Sequence, residues 1–194
     1  MDAALFHAIN GLAGHVTWLD ALMRLFSHPS PGLVGVIVLA AGWFWWNRWE
    51  ALFAIPTVAS AVSIADAIGA QVKHVVQRPR PCLALPDATV LGQCGGLHSF
   101  PSNHAANSAA IASFLHVLYP KSAYVTWPIV AMIGLARVYI GVHYVTDILG
   151  GWLIGMVMGA GAAFLLLRWH RFRPTVPGDA SSQSGDMAAM APKD

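Results

Sequence analysis

Charge is scarce in this chain, and so is cysteine. Only 10% of its 194 residues are Asp, Glu, Lys or Arg, while 56% are hydrophobic. Soluble domains carry roughly a quarter charged residues, so this balance argues against a water-solvated globule and for lipid as the solvent. The net charge of +2 comes without a basic stripe outside the motifs and the C-terminal flank, so no nucleic-acid partner is expected. Cys82 and Cys94 are the only cysteines. No Cys or His pairs stand at zinc spacing, and neither a metal nor another cofactor is expected. The two cysteines share one joint between hydrophobic runs, and two readings stay open: a disulfide in an oxidising compartment, or two unpaired small residues. The opening MDAALFHAIN is acidic and lacks a continuous apolar core, so no cleavable leader is expected.

What is present is a series of long apolar runs. They predict an all-α integral membrane bundle with about five spans, near 31–46, 51–72, 105–119, 124–135 and 145–167, because lipid forces backbone groups to pair within each segment. Upstream, Leu5, Phe6, Ile9, Leu12, Val16, Leu19, Leu22, Met23 and Phe26 recur at helical spacing with polar residues between them. Residues 1–30 therefore read as interfacial amphipathic helices broken near Gly11 to Gly14, and 31–167 as the membrane core. Residues 168–194 read as a basic collar (Arg168, Arg171, Arg173) and a disordered tail rich in Ser, Gly and Ala. The collar, with Arg48 and Lys121 in two joints, places that side in the cytoplasm and the polar motifs on the outer face. The fifth run carries Gly151, Gly155 and Gly159, and the third is rich in Ala and Ser. Small faces of this kind let two helices approach closely.

Three polar stretches interrupt the apolar pattern: KHVVQRPRP (73–81), PSNH (101–104) and RVYIGVHYVTD (137–147). Lys73, Arg80 and Arg137 offer a point charge and two planar forks, the set that neutralises a phosphoryl group. One such residue at a membrane edge is ordinarily a snorkelling side chain; three beside two histidines shift the balance. Ser102 or Asn103 can cap the helix that follows, whose free amides form an anion site near His104. His143 and Asp147 stand four apart. A carboxylate that takes the proton of one ring nitrogen fixes the tautomer and leaves the other nitrogen free to attack. Asp66, inside the second run, is costly in lipid and should face the bundle.

The order Lys73, six residues, Arg80-Pro81; Pro101-Ser102-x-His104; then Arg137, five residues, His143, three residues, Asp147 resembles the tripartite signature of the type 2 phosphatidic acid phosphatase family. The resemblance implies that His143 is a nucleophile forming a phosphohistidine, that Asp147 orients it and that His104 protonates the leaving oxygen. It also implies that Lys73, Arg80, Ser102, Asn103 and Arg137 surround the phosphate, with no metal. Asn103 stands where Gly is usual in the family, and Ala136 where Ser is often found. The FHAINGLAGH opening and the RPRPC run look like the bacterial undecaprenyl diphosphate phosphatases of this family. That likeness implies a multi-pass protein of the bacterial cell membrane acting on a lipid diphosphate. Phosphatidylglycerophosphate, phosphatidic acid and lipid A phosphates remain alternatives, as do a lipid phosphotransferase and a catalytically silent anion-binding membrane protein.

Overall fold

The computed structural model describes residues 2–169. Eight α-helices form among them: α1 (Asp2–Asn10), α2 (Thr17–Ser27), α3 (Pro29–Trp46), α4 (Arg48–Val76), α5 (Pro81–Ala84), α6 (Asn103–Leu118), α7 (Ala123–Tyr139) and α8 (Val145–Arg168). No strand forms among the described residues; one isolated antiparallel bridge pairs Pro79 with His98. The five long helices α3, α4, α6, α7 and α8 fall on the five expected runs, and a turn at 11–15 separates the two N-terminal helices. Arg171, Arg173 and the tail lie outside the described residues.

Helices alone do not make five spans. Two helices, α4 and α8, are long and apolar enough to cross a membrane, and a third crossing is available if α2 and α3, bent by 56°, count as one span. At 16 and 17 residues, α6 and α7 fall short of the roughly 20 residues a lipid-facing crossing needs. For α6 the reason is its position. Ala105, Ala106, Ala109, Ala110 and Ala112 are all buried because the helix packs against α4, α7 and α8. A helix wrapped in protein does not need a full apolar length.

Small residues set how close α6 and α8 come. A Cβ on Gly155 would run into the carbonyl of Ala106, and one on Gly159 into the carbonyl of Ala110 and the Ser113 hydroxyl. The backbones are therefore in contact, as the small-residue pattern predicts. By contrast, α3 has few apolar neighbours, and Leu33, Ile37 and Leu39 are exposed, as suits a face solvated by lipid.

Chain direction sends the motifs to one end of the bundle. α4 ends near Lys73, whereas α6 and α8 begin near His104 and His143. Arg48, Lys121 and Arg168 fall at the other end, where Trp45, Trp46, Trp49, Tyr124 and Trp169 are also exposed. That collection matches the aromatic and basic belt of a membrane–water boundary.

The loop joining α4 to α6 is closed over the motif end. Cys82 and Cys94 form a disulfide with Cα atoms 6.1 Å apart, which resolves the open reading of the two cysteines. Asn10 of α1 pins the same loop. Its amide donates to Thr89 O (2.7 Å) and Tyr139 O (2.8 Å), and its Oδ1 accepts from Thr89 N (2.9 Å). Gly141 follows α7 at φ +86°, and a side chain there would meet Thr89 O at 2.6 Å. The glycine is needed on both counts.

Candidate active site

The first motif leaves α4 through Gln77, whose φ of 48° is left-handed and whose N–H bonds Lys73 O. This stops the helix and turns 78–80 into an extended segment held by Ser99 N donating to Arg78 O (2.8 Å). Pro81 then opens α5, a position that tolerates proline because its missing N–H has no helical partner there. Arg80, 8% exposed, is thereby directed inward. Its Nη1 donates to Val142 O (3.2 Å) and lies 3.3 Å from His143 Nε2, while its Nε has no hydrogen-bond partner. Burial holds this guanidinium below its ordinary value, with Asp147 countering in part.

Lys73 projects across the loop. Its ammonium donates to Pro101 O (2.6 Å) and to Asn103 Oδ1. The Asn103 amide in turn donates to Asp66 Oδ1 (2.7 Å), and Asn107 donates to Asp66 Oδ2 (3.1 Å). Asp66 does face the bundle, as expected. Its link to Lys73 runs through the asparagine that replaces the usual glycine.

Ser102 is the N-cap of α6, yet its side chain makes no capping bond. The expected hydroxyl cap is absent: Ser102 Oγ is fully buried and has no partner among the described residues. A buried hydroxyl without a partner is costly, and a phosphoryl oxygen would satisfy it. The Ser102 backbone N–H donates to Asp147 O (3.0 Å), which locks the start of α6 to the start of α8. His104, half-buried in the first turn of α6, has no hydrogen-bond partner among the described residues.

The third motif is the most enclosed. His143 and Asp147 are 2% and 0% exposed. His143 Nδ1 lies 3.4 Å from Asp147 Oδ2, which also accepts the Tyr144 N–H at 2.8 Å. An ionised carboxylate can only accept, so the proton belongs on Nδ1, and Nε2 keeps its lone pair toward Arg80. Burial is the main cause that pushes the His143 imidazole down to about 4; the hydrogen bond to Asp147 opposes the shift, and Arg137 and Arg80 add to it. At neutral pH the ring is uncharged. Arg137 is held from the end of α2. Its Nη1 donates to Ser27 Oγ (2.8 Å) and Ser27 O (3.2 Å) at the end of α2, with its Nε unpartnered. It acts electrostatically on both His143 and His104.

Arg78, to which no role was assigned in the sequence, also enters this cluster. Its Nη1 donates to Asp147 Oδ1 (2.9 Å) and Thr146 Oγ1 (2.6 Å), its Nη2 to Asp2 Oδ2 (2.6 Å), and its guanidinium lies 3.8 Å from the centre of the Tyr144 ring. Its place inside the first basic stretch was the one available signal. Nothing local to Asp2 announced the contact.

At this end of the bundle a neutral imidazole stands between a buried carboxylate and a buried guanidinium, and an unpartnered serine hydroxyl lies at the start of α6. The PAP2 superfamily model matches residues 48–174, and the chain belongs to that superfamily, whose members include membrane phosphatases acting on lipid phosphates. The lipid A 4'-phosphatase of Porphyromonas gingivalis is 35% identical over 118 residues, covering 57% of this chain and 50% of that protein. The chain thus spans half the length of that relative. The undecaprenyl-diphosphatase BcrC of Bacillus subtilis is 29% identical over 176 residues, covering 87% of this chain and 84% of that one. Among solved structures, the transmembrane PAP2-type phosphatidylglycerolphosphate phosphatase of Bacillus subtilis superposes with a TM-score of 0.69 at 26% identity, covering 89% of this chain and 87% of that one.

Proposed function

We propose that the protein hydrolyses a polyprenyl diphosphate, undecaprenyl diphosphate, to undecaprenyl phosphate and inorganic phosphate. The observation that carries this reading is the Arg80–His143–Asp147 line, with distances of 3.3 and 3.4 Å, beside the unpartnered hydroxyl of Ser102. His143 Nε2 attacks the terminal phosphorus as the bond to the bridging oxygen breaks. His104 gives that oxygen a proton, and undecaprenyl phosphate departs. Water then attacks the phosphohistidine, His104 takes its proton back, and the released phosphate leaves His143 neutral again. Lys73, Arg80, Arg137, Ser102 and the amide end of α6, including Asn103, offset charge on the phosphoryl oxygens. Every cationic role is filled by a side chain, so the reaction needs no metal.

The two ends of the bundle support a membrane placement. Read by the positive-inside rule, the basic and aromatic end with Arg48, Lys121 and Arg168 favours the cytoplasmic boundary and a site at the outer face of the bacterial cell membrane. The polyprenyl reading is favoured by the near full-length match to BcrC. A second reading, phosphatidylglycerophosphate, is favoured by the structural match to the phosphatidylglycerolphosphate phosphatase. Phosphate release by the purified protein from undecaprenyl diphosphate, phosphatidylglycerophosphate, phosphatidic acid and lipid A, with and without EDTA, tests both. The diphosphate should give the highest kcat/KM, and EDTA should leave the rate unchanged. A higher value on a monophosphate lipid would transfer the assignment, and loss in EDTA restored by a divalent ion would remove the metal-free mechanism. Release of free phosphate without an acceptor separates hydrolysis from phosphotransfer.

A further inference from the structure

The sequence signature does not explain what holds the fully buried Asp147 carboxylate beside the neutral imidazole. Asp147 Oδ2 is occupied by Tyr144 N–H and His143 Nδ1, neither of which carries a positive charge. Arg80 meets the opposite ring nitrogen of His143, and Arg137 is bound to Ser27. The group in direct contact with the other oxygen is Arg78, at 2.9 Å. Its second arm is bound at 2.6 Å by Asp2. Asp2 in turn accepts the backbone N–H of Thr146 at 3.3 Å and the Thr146 hydroxyl, so that an anion sits at the positive end of α8. Burial raises the Asp2 carboxyl, but hydrogen bonds from Thr146 and Arg78 outweigh it and hold the carboxyl below its ordinary value.

We propose that Arg78 and Asp2 are positioning residues for the nucleophile: Arg78 fixes the direction of Asp147 and offsets its charge, which favours a neutral His143 with Nε2 toward the phosphate, while Asp2 holds Arg78 in place and takes up part of its charge. This inference rests on the reading of His143 as nucleophile. It assigns a function to the first turn of α1, which reaches the site only through the fold, and it separates Arg78 from the phosphate-binding cations. The charge arithmetic is signed. With Arg78 removed, the field of Asp147 acts on His143 unopposed and imidazolium is favoured. With Asp2 neutralised, the full charge of Arg78 acts and imidazolium is disfavoured. The other charged groups that bear on His143 are Arg80 from the segment before α5 and Arg137 from α7; these, and the titratable His104 on α6, are unchanged in both variants.

The test is a titration of His143 in the full-length protein in detergent, by NMR of 15N-labelled histidine, with its signal assigned by its loss in His143→Gln. Arg78→Gln should raise the midpoint by about one pH unit, and Arg78→Lys should return part of the shift. Asp2→Asn should act oppositely and leave a larger neutral fraction than wild type at acidic pH. A structural role alone would not give shifts of opposite sign. Shifts that are absent or of the same sign would overturn the proposal. So would an Arg78→Gln defect confined to KM with an unchanged titration, since Arg78 would then touch substrate. If Arg78→Gln fails to fold, Asp2→Asn decides alone, and an unchanged neutral fraction refutes the clamp. Lipid-phosphate hydrolysis measured on the same samples keeps the two readings apart. Opposite shifts in a protein without turnover would sink the phosphatase reading and leave the clamp standing.

Discussion

His143 and His104, proposed to serve one reaction, differ in their hydrogen-bond surroundings. His143 is enclosed, its two ring nitrogens facing Asp147 and Arg80. His104 is half-buried, and among the described residues nothing hydrogen-bonds its ring. The difference matches what each step requires. A nucleophile gains from being held in one tautomer and one direction before the substrate arrives. A general acid must follow an oxygen that moves away and then meet a water, so a ring left free until substrate binds is consistent with that task.

The largest effects should come from removing either ring, and they should differ in kind. His143→Ala should abolish turnover and any acid-labile phosphoenzyme, since Asp147 orients no other imidazole. His104→Ala should slow transfer from an alkyl monophosphate by about 10²- to 10⁴-fold, the usual range for a general acid. On nitrophenyl phosphate, whose leaving group needs little protonation, the loss should be much smaller. Steady-state rates on both substrates and acid-quench labelling read these outcomes. Normal rates for His104→Ala on the alkyl ester, or phosphoenzyme in His143→Ala, would interchange or cancel the roles.

The spacing between the two halves rests on the α6–α8 contact, and it can be broken without touching either histidine. A Cβ on Gly151 would run into the Ser102 carbonyl and meet Ala105 Cβ at 3.0 Å and Ala106 N at 3.1 Å. Gly151→Val should push the PSNH end away from Asp147. A misplacement of about 1 Å can cost roughly 10²-fold in rate, so kcat should fall by that order while protein persists in the membrane. Gly161, on the same helix with nothing within 4 Å, supplies the control, and Gly161→Ala should be near neutral. Equal effects of the two substitutions would show that the seam does not set the site.

Much of this was legible in the sequence because charge is rare in it. In a chain with 10% charged residues, Lys73, Arg80, Arg137, His143 and Asp147 stand out, and the apolar runs between them locate the five long helices. Hydropathy was less informative about α6, whose solvent is protein rather than lipid. Local spacing was silent on contacts made by folding: Asp2 reaches Thr146 across 144 positions, and Arg137 reaches Ser27 across 110. The role of Asn103 as a bridge from Lys73 to Asp66 was not visible in its readings as a cap, a phosphate-binding residue and a stand-in for glycine. Of the two caps the sequence allowed, Ser102 or Asn103, the Ser102 hydroxyl forms none, because it remains unused by the helix.

The enclosure of His143 also makes a pH prediction. With the imidazole pushed down to about 4 by burial, the lone pair is present above that pH and lost below it. The acidic limb of kcat/KM should therefore lie well under the free-histidine value of about 6.5. A limb near 6.5 that persisted in His104→Ala on nitrophenyl phosphate would mean the His143 ring is not shielded as its surroundings imply, and the contrast between the two histidines would weaken.

The smallest effect on turnover is expected at the Cys82–Cys94 bridge, although its loop covers the site. Closing a loop of this size contributes roughly 3 kcal/mol through the unfolded chain, so Cys82→Ser/Cys94→Ser should lower the thermal midpoint measurably. Activity is another matter. The loop keeps the three Asn10 bonds, the Ser99–Arg78 bond and the contact of Thr89 with Gly141, and Arg80 keeps its bond to Val142. Turnover at a temperature well below the midpoint should then change by no more than about twofold, since the remaining contacts hold the loop in place. The discriminating experiment combines the cysteine pair with Asn10→Ala. If the bridge and Asn10 hold the loop in parallel, the triple variant should lose far more activity than the two parts multiplied, with the loss appearing at the His143 side and not in the leaving-group dependence that reports His104. A large loss from the cysteine pair alone would show that the bridge, rather than the Asn10 network, keeps the nucleophile side enclosed.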